Sequence, residues 1–165
     1  MTILTVDVSY QADRAVAAGV LIDAWEDNAP VRVLRAELDQ VAAYVPGQFY
    51  KRELPCILAL LGQLDCPPEV IVVDGYVYLG SERLPGLGRH LYDALAGRSA
   101  VVGVAKTRFK DTPAAEVLRG GSRNPLYITA VGLDETDARH CVARMPGPHR
   151  IPTVLKLVDK LSRQR

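Results

Sequence analysis

The stretch TILTVDVSY, residues 2–10, predicts a β-strand that carries a carboxylate in its apolar interior. Isoleucine, leucine and valine residues surround Asp7, and strand interiors disfavour aspartate. A carboxylate among apolar side chains costs several kcal/mol unless a partner compensates for its charge. Two explanations of Asp7 stay open on this stretch alone. Either the side chain belongs to a structural hydrogen-bond network, or it holds a cation.

The pattern around this strand predicts a mixed α/β sheet flanked by helices. Residues 3–10, 14–25 and 31–39 predict three strands of an antiparallel meander. Residues 44–55 are typical of a loop, with Pro55 at the first position of a helix and Glu53 at its entrance. Beyond that point helices and buried strands alternate, which indicates a sheet with parallel strands beside the meander. The predicted helices cover residues 86–97, 134–145 and 153–165, and the predicted strands lie within residues 67–75, 99–106 and 125–132.

Composition places few limits on function. A chain of 165 residues, 48% of them hydrophobic, can form one domain over residues 1–165 with a full core. The net charge of +1 neither favours nor excludes a nucleic-acid partner, since a local basic face can be hidden in the sum. No signal peptide and no membrane span is predicted. The cysteines Cys56, Cys66 and Cys141 lack metal-site spacing and indicate free thiols, so we expect a cytoplasmic protein.

Two carboxylates follow similar apolar runs and are expected to meet. Asp7 lies within the first strand, and Asp74 ends a run of branched residues at VVDG. If the two strands are neighbours, the like charges would repel unless a divalent cation lies between them. Oxygen ligands of this kind suit Mg²⁺ or Mn²⁺, and Glu53 could supply a third. Taken alone, Asp74 also fits a turn former at a strand end.

Four motifs resemble the endonuclease V family in their order and spacing. They are VDVSY at 6–10, YVPGQFYKRE at 44–53, VVDG at 72–75 and VGVAK at 102–106. The resemblance continues to HRIPTVLKLVDKLSR at the end of the chain. It implies an RNase H-like fold and Mg²⁺-dependent cleavage of DNA or RNA near a deaminated base, inosine.

The resemblance also implies roles for individual residues. Asp7, Glu53 and Asp74 match metal-binding carboxylates, and Asp159 falls near a further acidic or histidine position close to the metal. Lys106 matches a lysine near the scissile phosphate. Substrate contacts are implied for the wedge loop, for an arginine beside the backbone and for a glycine beside the flipped base: Tyr44, Val45, Pro46, Gly47, Arg52 and Gly75.

Departures from the family pattern keep other functions open. Leu133 stands where the family has a histidine, and residues 76–86, YVYLGSERLPG, form a longer segment without the usual glycine and histidine residues. A diverged, non-catalytic nucleic-acid binder is therefore one alternative. A nuclease with the same chemistry on another nucleic acid is the other. Basic residues near the C-terminus indicate phosphate contacts or, more commonly, a solvated helix face: Lys156, Lys160, Arg163 and Arg165.

Overall fold

A computed structural model describes residues 1–39, 45–46, 48 and 50–164 of the chain. The first three strands are β1 (Ile3–Gln11), β2 (Arg14–Ile22) and β3 (Arg32–Leu38). The following elements are α1 (Tyr50–Leu61), β4 (Val70–Asp74), β5 (Tyr78–Leu79), β6 (Leu84–Pro85), α2 (Leu87–Ala94), β7 (Ala100–Ala105), β8 (Ala115–Val117), β9 (Leu126–Val131), α3 (Glu135–Arg144) and α4 (Thr153–Arg163).

Seven strands form one mixed sheet in the order β3-β2-β1-β4-β7-β9-β8. The predicted meander is confirmed, because β1 pairs antiparallel with β2 and β2 pairs antiparallel with β3. β4 pairs parallel with both β1 and β7, and β9 pairs antiparallel with β7 and β8. The carboxyl ends of β1, β4 and β7 therefore share one edge of the sheet, which is where ligands gather in sheets of this kind.

Alternation along β1 divides the core into two layers. Leu4 and Val8 pack with α1 and α2 on one face, whereas Ile3 packs with α3 and α4 on the other. β4 contributes to both layers, with Ile71 on the first face and Val72 on the second. A strand that is covered on both faces has apolar residues at successive positions, which explains the Val/Ile sequence of β4.

The start of α1 corrects the sequence prediction. The helix begins at Tyr50, so Pro55 lies inside it and not at its first position. Proline in a helix costs about 3 kcal/mol, because its ring crowds the preceding turn and it lacks an N–H. Burial of one face of α1 offsets this cost, and that buried face extends back to Glu53 in the first turn; it consists of Glu53, Cys56, Ile57 and Leu60.

Three short strands were absent from the sequence prediction. β5 and β6 form a two-stranded hairpin within residues 76–86, and β8 adds an edge strand to the main sheet. Strands of two or three residues are too short to show the period-two pattern that predicts a strand. All three cysteines are free, as predicted. Among the described residues, no helix combines the length and apolar character needed to cross a membrane.

Candidate active site

Asp7 and Asp74 lie side by side at the edge of the sheet where β1 and β4 approach their carboxyl ends. The parallel register pairs Thr5 with Val72, and two further residues along each strand lead to Asp7 and Asp74. Burial is the main cause of the raised pKa of Asp7, and the negative charge of nearby Asp74 adds to it. The expected meeting of these two carboxylates therefore occurs, because their strands are neighbours.

Glu53 reaches the same point from the first turn of α1. Its side chain belongs to the buried face of the helix, and the residue is 8% exposed. Burial raises the pKa of Glu53 to about 8, and the charges of Asp7 and Asp74 add to this effect. A buried carboxyl group with two carboxylate neighbours retains its proton at neutral pH unless positive charge is supplied.

Asp159 brings a fourth carboxylate to the cluster from α4. Burial raises the pKa of Asp7 to about 7, and a side-chain hydrogen bond with Asp159 adds to the shift. The same hydrogen bond lowers the pKa of Asp159, with the guanidinium of Arg163 as a further cause. Asp7 is thus the member of this pair that keeps the proton, since it is the more deeply buried carboxyl group.

Lys106 supplies positive charge at the end of β7. Its Nζ lies 3.9 Å from Oδ2 of Asp74, and the two side chains are 46% and 49% exposed. The half-exposed carboxyl group of Asp74 has lost part of its hydration, which raises its pKa, while the charge of Lys106 acts in the opposite direction. An ion pair exposed to this degree is weak, so the ammonium group is available to an incoming anion.

One cavity of about 400 Å³ joins these groups. The five candidate residues Asp7, Glu53, Asp74, Lys106 and Asp159 all line it, together with Arg163 and the last residues of β1. The arrangement offers hard oxygen ligands and one half-exposed ammonium group at the carboxyl ends of parallel strands. Among the described residues, however, no three His, Cys, Asp or Glu side chains are already grouped closely enough to hold a metal ion.

The candidate substrate residues are described in part. Val45 and Pro46 are exposed, and Tyr44 and Gly47 lie outside the described residues. The guanidinium carbon of Arg52 lies 4.0 Å from the centroid of the Tyr10 ring, an arrangement typical of a cation–π contact.

Gly75 occupies the sharp exit from β4. Its φ of +133° lies in the region that favours glycine, and its N–H donates to the carbonyl of Val104 over 3.1 Å. A Cβ at Gly103 would lie only 2.5 Å from the carbonyl oxygen of Gly75. The two glycines thus allow β7 to approach the turn that follows Asp74.

Ser162 is a residue of the site that sequence reasoning missed. It is fully buried in the last turn of α4, where its Oγ donates to the carbonyl of Asp159 over 2.8 Å and lies 3.4 Å from Oδ2 of Asp7. The hydroxyl of Ser9, on β1, donates to the carbonyl of Ser162. The sequence feature that could have identified Ser162 is its position on the apolar face of α4, four residues after Val158.

Comparisons with known proteins agree on one family. The family model described as Endonuclease V matches residues 1–143. The chain is 34% identical to endonuclease V of Streptomyces avermitilis over 194 aligned positions, which cover 96% of this chain and 78% of the relative. It is 28% identical to endonuclease V of Thermococcus kodakarensis, with 98% and 78% covered.

Solved structures give the same result for the fold. The crystal structure of the Streptomyces avermitilis endonuclease V matches with a TM-score of 0.78 and 29% identity, covering 99% of this chain and 80% of that one. An endonuclease V of Ciona intestinalis, solved in complex with a DNA containing an inosine, matches with a TM-score of 0.81 and 18% identity, covering 98% and 83%. The fold is therefore RNase H-like, as the motifs indicated.

Proposed function

Since the chain belongs to the endonuclease V family, we propose that it is a metal-dependent endonuclease that hydrolyses a phosphodiester bond near inosine in DNA or RNA. The observation that carries the proposal is the convergence of four carboxylates and one lysine on a single cavity. These groups come from four different elements of the fold, β1, α1, β4 and α4, with Lys106 directly after β7. Carboxyl groups held close together destabilise a fold, so a cluster of this kind is typical of a functional site.

The donor set fits a divalent cation. Burial and the charges of neighbouring carboxylates raise the pKa values of Asp7, Glu53 and Asp74, so a bound cation would favour their ionised forms. Carboxylate oxygens around an open cavity suit Mg²⁺, with Mn²⁺ as an alternative, because both ions prefer hard ligands and keep several waters. We propose that Asp7, Glu53, Asp74 and Asp159 hold the ion. When bound, it would activate water and neutralise charge on the phosphate.

The side chains of this chain have distinct tasks in the proposed reaction. The carboxyl groups of Asp7 and Glu53 must give up their protons before they can bind a cation, so activity should rise with pH. Lys106 would leave Asp74 and neutralise an oxygen of the scissile phosphate as a point charge. Arg52, next to Glu53 in α1, is proposed to contact the backbone of the substrate and to be oriented by the ring of Tyr10.

The choice of an inosine substrate rests on the family and on the loops around the cavity. The Ciona intestinalis relative was solved with an inosine-containing DNA. In this chain, we propose that residues 44–47 separate the strands as a wedge. The exposure of Val45 and Pro46 supports this proposal. Gly75 would allow its backbone to approach a base that has left the stack.

A nuclease with another nucleic-acid substrate is the second candidate. One observation favours it, namely the hairpin within residues 76–86, which departs from the family pattern. This hairpin is attached to the loop after β7, because Tyr76 Oη donates to the carbonyl of Thr107 and Gly80 N–H donates to Thr112 Oγ1. A hairpin held by these contacts, shortly after Asp74 in the chain, would change the shape of any pocket for a base.

Cleavage of labelled oligonucleotides tests both candidates. Single-stranded and duplex DNA and RNA, each with and without one inosine, would be incubated with Mg²⁺, Mn²⁺ or EDTA. We expect metal-dependent cutting beside inosine, abolished by Asp7→Asn. Asp65→Asn removes the same charge from an exposed site before β4 and should leave cutting intact. Cutting without regard to inosine would favour the second candidate, and full activity of Asp7→Asn would refute the metal-site assignment.

A further inference from the structure

Helix α4 runs along the cavity edge of the sheet and crosses several strands. Near its start, Leu155 lines a small cleft together with Asp74 and Lys106. Near its end, Ser162 contacts Asp7, and the carbonyl of Gln164 accepts a hydrogen bond of 2.7 Å from Arg35 on β3. The helix therefore passes from the β7 side of the candidate site, past β4 and β1, to the meander.

The outward flank of α4 is basic. Val154, Val158 and Ser162 recur every four residues and form its buried face. Lys156 is three residues before Asp159 and Arg163 is four residues after it, so helical geometry puts both on the face that carries Asp159. Lys160 lies next to that face. We call the exposed residues Lys156, Lys160 and Arg163 the α4 basic flank.

The three residues of the α4 basic flank differ in whether they have a carboxylate partner. Arg163 lines the carboxylate cavity, and its Nε lies 3.1 Å from Oδ1 of Asp159, so this guanidinium already has a carboxylate partner. Lys156 and Lys160 are exposed and form no ion pair with any residue that the structure describes. Two positive charges without an ion-pair partner among the described residues thus lie on the helix that lines the cavity, within one turn of Asp159.

The cavity itself creates a need for such charges. Four carboxyl groups line it, and the negative charge that they carry when ionised repels a polyanion that approaches the scissile position. A bound cation neutralises negative charge at the cleavage position only. A nucleic-acid strand, in contrast, carries a negative charge at every nucleotide on both sides of that position. Lysines on an exposed helix contact phosphates as point charges without reading the base sequence.

We infer that Lys156 and Lys160 bind backbone phosphates that flank the scissile bond, so that α4 guides the strand across the cavity. The inference rests on the proposed nuclease function and deepens it by naming a phosphate subsite outside the carboxylate cluster. The partner is the sugar–phosphate backbone, because nothing on the flank other than its positive charge is suited to recognition. A solvated helix face is the competing explanation, and it predicts no effect on binding.

Salt dependence of binding separates the two explanations. The probes are fluorescein-labelled oligonucleotides with one inosine, single-stranded and duplex, and their anisotropy would be followed in EDTA over a range of KCl concentrations. For Lys156→Gln/Lys160→Gln we expect the slope of log K against log salt to become shallower by about 1.8 for duplex and about 1.4 for single strands, because two phosphate contacts are lost. The decrease should be the same with and without inosine.

The matched control is Arg32→Gln/Arg98→Gln. These two exposed arginines lie at the opposite edge of the sheet, since Arg32 begins β3 and Arg98 precedes β7. The control removes the same net charge and should leave the slope unchanged. Equal slopes for the lysine variant and the wild-type chain, or equal decreases in both double variants, would overturn the α4 subsite while leaving the nuclease proposal in place. Failure of the wild-type chain to bind or cut any oligonucleotide would overturn both.

Discussion

The hydroxyl of Ser162 lies 3.4 Å from Oδ2 of Asp7, across 155 positions of the chain. Ser162 also donates to the carbonyl of Asp159 over 2.8 Å, and its own carbonyl accepts from Ser9. These contacts attach the last turn of α4 to β1 at the level of the carboxylate cluster. Asp159, one turn earlier on α4, faces Asp7 in this arrangement.

Replacement of this serine should therefore weaken both the fold and the proposed metal site. Ser162→Ala removes a buried hydroxyl that donates to a helix carbonyl, and we expect the free energy of unfolding to fall by about 1 kcal/mol. Urea denaturation measures this loss, and Mn²⁺ titration of the variant measures the expected decrease in metal affinity. Ser81→Ala, at an exposed position, is the control and should change neither quantity. Unchanged Mn²⁺ affinity in Ser162→Ala would limit Ser162 to a structural role.

The raised pKa values of Asp7 and Glu53 predict a stability that falls with pH in the absence of divalent cations. Each group binds its proton more tightly in the folded chain than in the unfolded chain. Their contribution is complete below their ordinary pKa values and is lost as the pH rises through about 7 and about 8. Asp159 acts in the opposite sense, but its lowered pKa confines that effect to more acidic solutions.

Thermal or urea unfolding in EDTA between pH 5 and pH 9 tests this prediction, with a slope of at most about 1.4 kcal/mol per pH unit for each group. Asp7→Asn and Glu53→Gln should each flatten the decline, because the substituted groups no longer titrate. Added Mg²⁺ should restore stability at the alkaline end, since it binds the ionised carboxylates of the folded chain. A stability that rises between pH 6 and pH 8 in EDTA would contradict the prediction.

Lys106 is expected to act on the rate of cleavage more than on the fold. Its ion pair with Asp74 is half-exposed and adds little stability. Loss of a positive charge beside the scissile phosphate typically costs a factor of about 100 in rate, so Lys106→Ala should slow single-turnover cleavage to that extent. Lys106→Arg should recover part of the rate because it keeps the charge. Lys110→Ala, four residues along the same loop, is the control, and an equal loss in that variant would exclude a specific role for Lys106.

Much of the sheet could be predicted because its strands have clear local patterns. β3 alternates apolar and polar residues, β2 is rich in small and branched residues, and β4 and β7 are apolar runs with coverage on both faces. The start of α1 could not be predicted from local signals, because Pro55 marks a helix start by itself and is overridden by burial of the face that includes Glu53. Burial of that face is a tertiary effect and leaves no sign at the first helical residue.

The residues of the candidate site differ in the same way, since some could be predicted from the local sequence and others could not. Asp7 and Asp74 stood out because a carboxylate in an apolar strand needs an explanation, and their proximity followed from the strand order. Ser162 and Tyr10 did not stand out. The role of Ser162 depends on where α4 crosses β1, and that of Tyr10 depends on the position of Arg52 above its ring. Long-range packing decides both, and no spacing rule within the sequence anticipates it.

Arg119 provides the last prediction, because it connects α3 to the segment that leads into α4. The residue is 9% exposed, and its guanidinium donates to the carbonyls of Met145 over 2.7 Å, Val142 over 3.1 Å and Arg150 over 3.2 Å. Arg119→Ala would leave these buried carbonyls without donors, so we expect the free energy of unfolding to fall by about 3 kcal/mol. Arg139→Ala, which removes one exposed hydrogen bond to the carbonyl of Glu116, should cost less than about 1 kcal/mol. Because α4 carries Asp159, Arg119→Ala should also lower Mn²⁺ affinity. Equal losses of stability in Arg119→Ala and Arg139→Ala would show that α4 does not depend on the hydrogen bonds of Arg119.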